Sequence, residues 1–162
     1  MKQQLCLDNQ LCFPLYAAAR KVTSLYTPLF KPLGITYTQY IVFLALWEKD
    51  DVSVSDLCSR LYLDSGTLTP LLKKMEKDGY INRKRSAEDE RIVKITLTEQ
   101  GRRMEDKVSD IPMKVGSCFP LKPEEAAVLY SLLNKILMKV EDRICANIRL
   151  LKDVPERSSG QA

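Results

Sequence analysis

The sequence predicts a mainly α-helical fold with one small β-hairpin, and three observations support this prediction. Apolar residues recur at helical spacing through most of the 162 residues. One central stretch, RIVKITLT, instead alternates apolar and polar side chains, as a half-buried strand does. The hairpin that contains it follows directly on a pair of short helices. Helix, helix, hairpin is the order of a winged helix-turn-helix.

The first predicted helix covers residues 9–32, where apolar residues recur every three or four positions. Asp8 or Asn9 is the expected N-cap, because both side chains accept hydrogen bonds from a first helical turn. Pro14 fits only in a first turn, where its missing N–H breaks no hydrogen bond. Cys12 is therefore predicted to lie at or near the N-terminus of this helix.

The next segments lead into the predicted helix pair. Residues 36–48 are predicted to form a strongly apolar helix, and residues 49–52 a polar break. Ser53 and Asp56 then have the spacing of a capping box, which opens the first helix of the pair.

The second helix of the pair is predicted to precede the hairpin directly. Asp64 or Ser65 is its expected cap, and it extends to about Asp78 before Gly79 ends it. A strand at residues 80–84, the charged turn RSAEDE and the alternating strand RIVKITLT follow.

The C-terminal third is predicted to be helical apart from one break. Thr98 is the expected cap of a helix, and residues 111–123, with three prolines and a glycine, are predicted to be a break. A long amphipathic helix is predicted at about residues 124–150. The last ten residues, 153–162, have a composition typical of disorder.

The 162 residues are predicted to form a single chain with a central DNA-binding part and two flanking helical regions. Residues 36–98 form the predicted winged helix-turn-helix. The helices within residues 8–34 and 99–152 carry more apolar surface than a small winged helix can bury. We therefore predict that they form a dimerisation region in a homodimer.

The composition argues against several classes of protein. No run of 18 apolar residues is present and the N-terminus is too polar for a signal peptide, so we predict a cytoplasmic protein with no membrane partner. Five cysteines lack CxxC spacing and histidine is absent. These features disfavour zinc, secreted disulfides and triad catalysis, so we expect no metal, no cofactor and no enzyme activity.

A basic cluster accompanies the predicted helix pair and hairpin. Eight basic and five acidic residues lie between Lys73 and Lys94, a local net charge of +3 out of +4 for the chain. Such a cluster is often only a solvated face, but its position on this order of elements favours phosphate contacts and minor-groove entry. The predicted DNA contacts, which include short hydroxyl side chains near the start of the second helix, are Ser65, Thr67, Thr69, Lys73, Lys74, Arg83, Arg85, Asp89 and Arg91.

These stretches resemble a known family. LYLDSGTLTPLLKKMEKDGYINRKRSAEDERIVKITLTEQG is similar to the recognition helix and wing of MarR-type regulators, with the wing signature D-x-R at Asp89 to Arg91. LDNQLCF, ITYTQY and YLDSGTLTPLLKKME resemble the organic-hydroperoxide-sensing, OhrR-type branch, over nearly the whole chain. This resemblance implies a homodimeric repressor that binds double-stranded operator DNA. It also implies that Cys12 senses an organic hydroperoxide and that Tyr26 and Tyr37 of the partner subunit hydrogen-bond its sulfur.

The chemistry of Cys12 agrees with that role, although a cysteine on an apolar helix is more often inert core. A thiolate attacks a hydroperoxide, and a helix N-terminus with phenol donors favours the anion. The product is a sulfenic acid, which a second thiol traps as a disulfide. In some OhrR-like proteins a cysteine of the other subunit does this, and Cys118 is the candidate here. In others a low-molecular-weight thiol does so, and both routes remain open.

Four further residues have predicted structural roles. Cys58 is predicted to be core, as are the aromatic side chains of Tyr16, Tyr40 and Trp47, which alternatively line a peroxide pocket. Two other functions remain as alternatives. One is a MarR-type regulator that responds to phenolic ligands or acts as a broader oxidative-stress regulator. The more remote one is a thiol peroxidase that uses Cys12 and Cys118.

Overall fold

The computed structural model describes residues 2–152, with side chains described for residues 2–138 apart from residue 4. This part of the chain is mainly helical with one small sheet, which confirms the predicted fold class. The helices are α1 (Cys12–Phe30), α2 (Tyr37–Glu48), α3 (Val54–Leu61), α4 (Ser65–Lys77), α5 (Glu99–Val108), α6 (Ile111–Gly116) and α7 (Pro123–Lys152). The strands are β1 (Val52–Ser53), β2 (Ile81–Arg85) and β3 (Val93–Leu97). The predicted tail, 153–162, lies outside the described residues.

Side-chain caps begin α3, α4 and α5 at the positions that the sequence predicts. Ser53 accepts a hydrogen bond from the Asp56 backbone N–H, and the Asp56 carboxylate accepts one from the Ser53 N–H, which completes the capping box of α3. Asp64 caps α4 and Thr98 caps α5. Gly79 adopts a left-handed conformation (φ 80°) directly after α4, which explains why this helix ends there.

The sheet has three antiparallel strands rather than the two of the predicted hairpin. Its order is β1-β3-β2, and β2 begins one residue later than predicted, at Ile81. The predicted polar break at 49–52 is wrong at its end, because Val52 and Ser53 form β1 by pairing with Ile95 and Lys94. Two residues are too few to show the alternation of a strand, so only the pairing with β3 reveals this one.

The start of α1 differs from the prediction. The helix begins at Cys12, with Leu11 at the N-cap position and no side-chain cap. Asp8 and Asn9 lie in a 3-10 turn before the helix, and the Asn9 Nδ2 donates to the Gln3 carbonyl (3.0 Å) instead. The prediction that Asp8 or Asn9 caps α1 is therefore wrong, because the chain makes a separate turn first. The first-turn position of Pro14 is confirmed.

The segment 111–123 contains a helix, α6, where the sequence predicts a break. Pro112 lies in the first turn of α6, a position at which the missing proline N–H has no helical partner to lose. Ile111 and Val115, four residues apart, are both buried in the core. The prediction of a break over the whole segment is therefore wrong. Its three prolines and one glycine are typical of a loop, although six of its residues form a helix.

The core lies between α2 and the elements of the helix pair and sheet that surround it. α2 contributes buried residues on most of its faces, including Val42, Phe43 and Leu46 with no exposed surface. Leu68, Leu72 and Met75 of α4 are equally buried. Cys58 packs against this core and is half-buried, and Tyr40 is buried within it, as predicted. α4 is thus held against the core by its buried apolar side chains, while its charged side chains are exposed.

The described chain divides into two compact units, one up to Cys118 and one from Phe119 onward. In the first unit, α5 packs against α2 and β3, and α6 packs against α1. In the second unit, α7 opens with acidic residues in its first turn, and its apolar side chains between Val128 and Met138 are exposed.

No single described helix is long and apolar enough to cross a membrane. The pair Cys12–Leu33 and Tyr37–Glu48, bent by 82° at its break, reaches that length and composition only when the two are taken together.

Candidate redox sensor and nucleic-acid interface

Cys12 is an exposed, free thiol at the first residue of α1. The next N–H, of Phe13, donates to the Gln10 carbonyl (3.1 Å), and Pro14 has no N–H. Tyr16 and Arg20 follow Cys12 at intervals of four residues on the same helix face, and Arg20 Nη1 donates to the Tyr16 hydroxyl (2.8 Å). The sulfur is therefore accessible on a largely exposed face of the chain.

The core prediction for the aromatic residues holds for two of three. Tyr40 is buried, and Trp47 stacks on Phe43 while its Nε1 donates to the Gly101 carbonyl (3.2 Å). Tyr16 is 58% exposed, so its prediction as core is wrong for the single chain. Its position on the outward face of α1, held by Arg20 rather than by apolar neighbours, is the reason.

Tyr26 and Tyr37 belong to one aromatic cluster at the junction of α1 and α2. Their ring centroids are 4.9 Å apart, and Tyr40 lies 5.8 Å from Tyr26 and 4.9 Å from Phe30. A short 3-10 turn, Lys31–Leu33, and the left-handed Gly34 fold the start of α2 back onto the end of α1. The fold thus places both predicted sensor tyrosines side by side.

The tyrosines of this cluster resist ionisation. Burial raises the pKa of the Tyr37 hydroxyl, and burial with the neighbouring Tyr37 raises the pKa of Tyr26. The pKa of Tyr40 is raised in the same way, by burial and then by Tyr26 and Tyr37. All three phenols therefore keep their protons at neutral pH, so each has an O–H that is able to donate a hydrogen bond.

We expect these raised pKa values to appear in a spectrophotometric titration of tyrosinate. Because three of the seven tyrosines ionise late, the folded chain should show less tyrosinate just above pH 10 than the urea-unfolded chain. By linkage, the stability from the neutral phenols is complete below pH 10 and is lost as pH rises through their folded pKa values. Tyr26→Phe should remove one late group. Coincident titration curves for the folded and unfolded chains would contradict the raised pKa values of these tyrosines.

A single chain does not bring Cys12 to these tyrosines. Cys12 and Tyr26 lie on the same helix, 14 residues apart. At 1.5 Å per residue, this separates them by about 21 Å along the axis. Contact between this thiol and such a phenol therefore requires a second copy of the chain.

Cys118 lies just after α6 and is exposed. Its Sγ donates to the Lys114 carbonyl at 3.5 Å, so the thiol is held at the C-terminal end of that helix. Cys6, Cys12, Cys58 and Cys118 are all free thiols.

The first half of α4 carries the predicted hydroxyl contacts. Ser65 and Thr67 are exposed, whereas Thr69 is half-buried. Asp64 accepts hydrogen bonds from both the backbone N–H and the hydroxyl of Thr67. Pro70 lacks the N–H that an ordinary residue would donate to the Gly66 carbonyl, which leaves that carbonyl without its usual helical donor.

The basic residues of α4 and of the wing, which is β2, β3 and the turn between them, differ in exposure and in ion pairing. Lys73 and Lys74 are exposed, and Lys74 pairs with Asp78 (2.7 Å). The Arg83 side chain is only 18% exposed and lies 3.4 Å from Glu76 of α4, so it joins the wing to that helix. Arg85 Nη1 donates to the Glu90 carbonyl (2.9 Å) across the wing turn.

Arg91 is held at the tip of the wing by Asp89. Its Nε and Nη2 donate to the two carboxylate oxygens of Asp89 at 3.0 and 2.8 Å, while the side chain stays 90% exposed. These hydrogen bonds lower the pKa of Asp89 below its usual range. The D-x-R motif thus presents one oriented guanidinium to solvent, as a minor-groove contact requires.

Sequence reasoning missed two side-chain interactions, one at the N-cap of α4 and one near its C-terminal end. Asp64 was predicted as a cap alone, although its second carboxylate oxygen also fixes the Thr67 hydroxyl. Glu76, the partner of Arg83, gave no signal because the pair joins a helix to a strand. Among the side chains that the structure describes, which end at residue 138, no group of three or more His, Cys, Asp or Glu is arranged to hold a metal ion.

Comparison with known proteins places this arrangement in a family. The family model described as "Transcriptional regulator SarA/Rot" matches residues 24–108. An organic hydroperoxide resistance transcriptional regulator of Bacillus subtilis strain 168 is 49% identical over 131 residues, which cover 81% of this chain and 89% of the relative. The chain belongs to the MarR/OhrR-type family of transcriptional regulators. This confirms the resemblance noted in the sequence.

Solved structures of regulators in this family share the fold. Reduced AbfR bound to DNA is 35% identical, with a TM-score of 0.74, over 89% of this chain and 99% of that one. Disulfide-formed AbfR gives a TM-score of 0.60 at 35% identity, over 86% and 95%. MarR of E. coli, in its apo form, is 26% identical with a TM-score of 0.59, over 79% and 96%.

Proposed function

We propose that this protein is a transcriptional repressor that binds operator DNA when reduced and releases it when an organic hydroperoxide oxidises Cys12. The observation that carries this proposal is an exposed thiol at the first residue of α1, in a chain 49% identical to an organic hydroperoxide resistance regulator. Two AbfR structures, one reduced on DNA and one with a disulfide, support a redox switch in a relative of the same fold.

The proposed reaction is a two-electron oxidation of sulfur. The Cys12 thiolate attacks the terminal oxygen of the hydroperoxide, so that the S–O bond forms as the O–O bond breaks. The alkoxide leaves and takes up a proton as the alcohol, and Cys12 becomes a sulfenic acid. A second thiol, from Cys118 or a low-molecular-weight thiol, then attacks that sulfur and expels water to form a disulfide. The protein acts once per oxidation and is not a peroxidase.

We propose that the working form is a homodimer. The chain exposes apolar side chains along α7, from Val128 to Met138, and near Cys12, including Leu11 at 74% and Tyr16 at 58%. A second copy that covers these faces also supplies the phenols that one chain holds about 21 Å from Cys12. Tyr26 and Tyr37 of the partner subunit then donate hydrogen bonds to the sulfur.

The DNA-binding surface in this proposal is the exposed face of α4 together with the wing. α4 enters the major groove with its hydroxyl and lysine side chains, and the wing carries Arg91 into the minor groove. The restricted exposure of Arg83 assigns it to holding the wing against α4, in addition to any phosphate contact. A thiol sensor of this kind works in the reducing cytoplasm, which is the location we propose.

Arg91→Ala is expected to weaken operator binding by about 10- to 100-fold, because it removes the guanidinium that Asp89 holds at the wing tip with 90% of the side chain exposed. Arg103→Ala is the matched control, since Arg103 is also exposed and ion-paired (3.3 Å to Glu99) but lies on α5 outside the wing. It should bind DNA within about twofold of wild type. Equal losses for the two variants would argue against minor-groove entry by the wing.

The function is tested by fluorescence anisotropy with DNA from the protein's own promoter region. Reduced protein should bind, cumene hydroperoxide should release it, and a dithiol should restore binding if a disulfide has formed. Salicylate, added without oxidant, tests the phenolic-ligand alternative and should leave the complex intact. Release by salicylate and not by the hydroperoxide would favour that alternative. Failure of the reduced protein to bind would contradict the proposal.

A further inference from the structure

The first turn of α4 holds a hydroxyl in a fixed hydrogen-bonding state. Asp64 Oδ1 accepts from the Thr67 backbone N–H at 2.8 Å, and Asp64 Oδ2 accepts from the Thr67 hydroxyl at 2.7 Å. A threonine hydroxyl has one hydrogen to donate and two lone pairs to accept with. That hydrogen is directed to Asp64, so the exposed Thr67 oxygen is left with acceptor capacity only.

The carboxylate is also fixed as an acceptor. The hydrogen bonds from Thr67 lower the pKa of Asp64, which keeps it ionised, and each oxygen has a further lone pair. Gly66 leaves room for the Asp64 carboxylate, because a Cβ at residue 66 would lie only 2.9 Å from Asp64 Oδ1. Asp64 and Thr67 therefore form one exposed pair of acceptors at the N-terminal end of α4, whereas Leu68 and Leu72 further along the helix are buried.

We propose that Asp64 and Thr67 act as an acceptor-only pair that recognises an exocyclic amino group on a base edge, N6 of adenine or N4 of cytosine, in the major groove. This inference rests on the proposed DNA-binding function. Phosphate oxygens are negatively charged hydrogen-bond acceptors. The pair therefore repels the DNA backbone and has no hydrogen to donate to it. Amino groups of adenine and cytosine are the donors that a base pair presents in the major groove.

Asp64→Asn should reverse this preference without removing the helix cap, since Asn and Asp cap equally well. The amide oxygen can still accept from the Thr67 N–H, while the amide nitrogen now donates to the Thr67 hydroxyl oxygen. The hydroxyl hydrogen is then free to point outward. The variant should select a base that offers an acceptor, O6 of guanine or O4 of thymine.

The experiment is selection from a pool of random duplex DNA on the reduced, full-length chain. Wild type should enrich one sequence with adenine or cytosine at a fixed position of each half-site. Asp64→Asn should lower that base ratio by about 3- to 10-fold and raise guanine or thymine, and Thr67→Val should flatten the preference there. Asp78→Asn removes the same charge from the C-cap of the same helix, where Asp78 pairs with Lys74, and should keep the wild-type sequence.

The readout is a base ratio at one position, which a purely structural cap would not alter. Asp64→Asn and Thr67→Val selecting the wild-type bases would overturn the inference, and a wild-type chain that enriches no sequence would contradict the proposed function itself. If Asp64→Asn melts early, Thr67→Val decides the question alone, because it keeps the carboxylate cap on the residue 67 N–H.

Discussion

Cys12→Ser is expected to bind operator DNA as tightly as wild type and to stay bound at hydroperoxide concentrations that release wild type completely. Serine preserves the size of the side chain at the first position of α1, so the helix and the DNA-binding surface are retained. It removes the thiolate, which is the nucleophile toward the peroxide oxygen. The measurement is anisotropy against a titration of cumene hydroperoxide.

Cys6→Ser is the matched control for this variant. Cys6 is also a free cysteine and lies six residues earlier, between two 3-10 turns that precede α1. Because the proposed reaction does not use it, Cys6→Ser should be released at the wild-type hydroperoxide concentration. If Cys12→Ser leaves the DNA at the same hydroperoxide concentration as wild type, Cys12 is not the sensor.

Gly101→Ala is expected to destabilise the fold by about 3 kcal/mol, a large overpacking effect. A Cβ at Gly101 would lie 2.2 Å from the Tyr80 carbonyl oxygen and 3.0 Å from Leu97 Cδ2. The Tyr80 carbonyl is backbone between α4 and β2, and it also accepts from the Thr98 N–H, so it cannot simply move aside. The first turn of α5 would instead be pushed away from the wing and from Trp47, which donates to the Gly101 carbonyl.

Gly116→Ala is the matched control, since a Cβ there meets nothing within 4 Å and its backbone is helical. It should be neutral or stabilising by up to about 1 kcal/mol, because alanine favours helix and has fewer unfolded conformations to lose. Urea unfolding at one protein concentration compares the two, since a dimer's stability depends on concentration. Equal unfolding midpoints would show that α5 does not approach Tyr80 this closely.

Elements with a local chemical signature were predictable from the sequence. Ser53 with Asp56, Thr98 and Gly79 each fix a helix end through their own neighbours, and all three are confirmed. β1 was not predictable, because Val52 becomes a strand only by pairing with Ile95, 43 residues away. α6 was missed because the three prolines of segment 111–123 are typical of a loop, and the burial of Ile111 and Val115 is not visible in the sequence.

The position of Cys12 and the pairing within the wing motif were predictable from the sequence, but the geometry around the other candidate residues was not. Cys12 lies at a helix N-terminus as expected, and the wing motif orients Arg91 through Asp89. The contact between Tyr26 and Tyr37 depends on the tight turn before α2, which sequence spacing does not reveal. The hydrogen-bonding state of Thr67 depends on side-chain rotamers that no motif encodes.

The central claim, that oxidation of Cys12 controls DNA binding, is tested most directly by following both events in one sample. Operator occupancy is read by anisotropy during a cumene hydroperoxide titration, and the sulfur state of Cys12 is read by peptide mass spectrometry on aliquots. We predict that DNA release rises in step with oxidation of Cys12, to its sulfenic acid or a disulfide. Release while Cys12 remains a thiol, or full oxidation of Cys12 on intact complexes, would contradict the account.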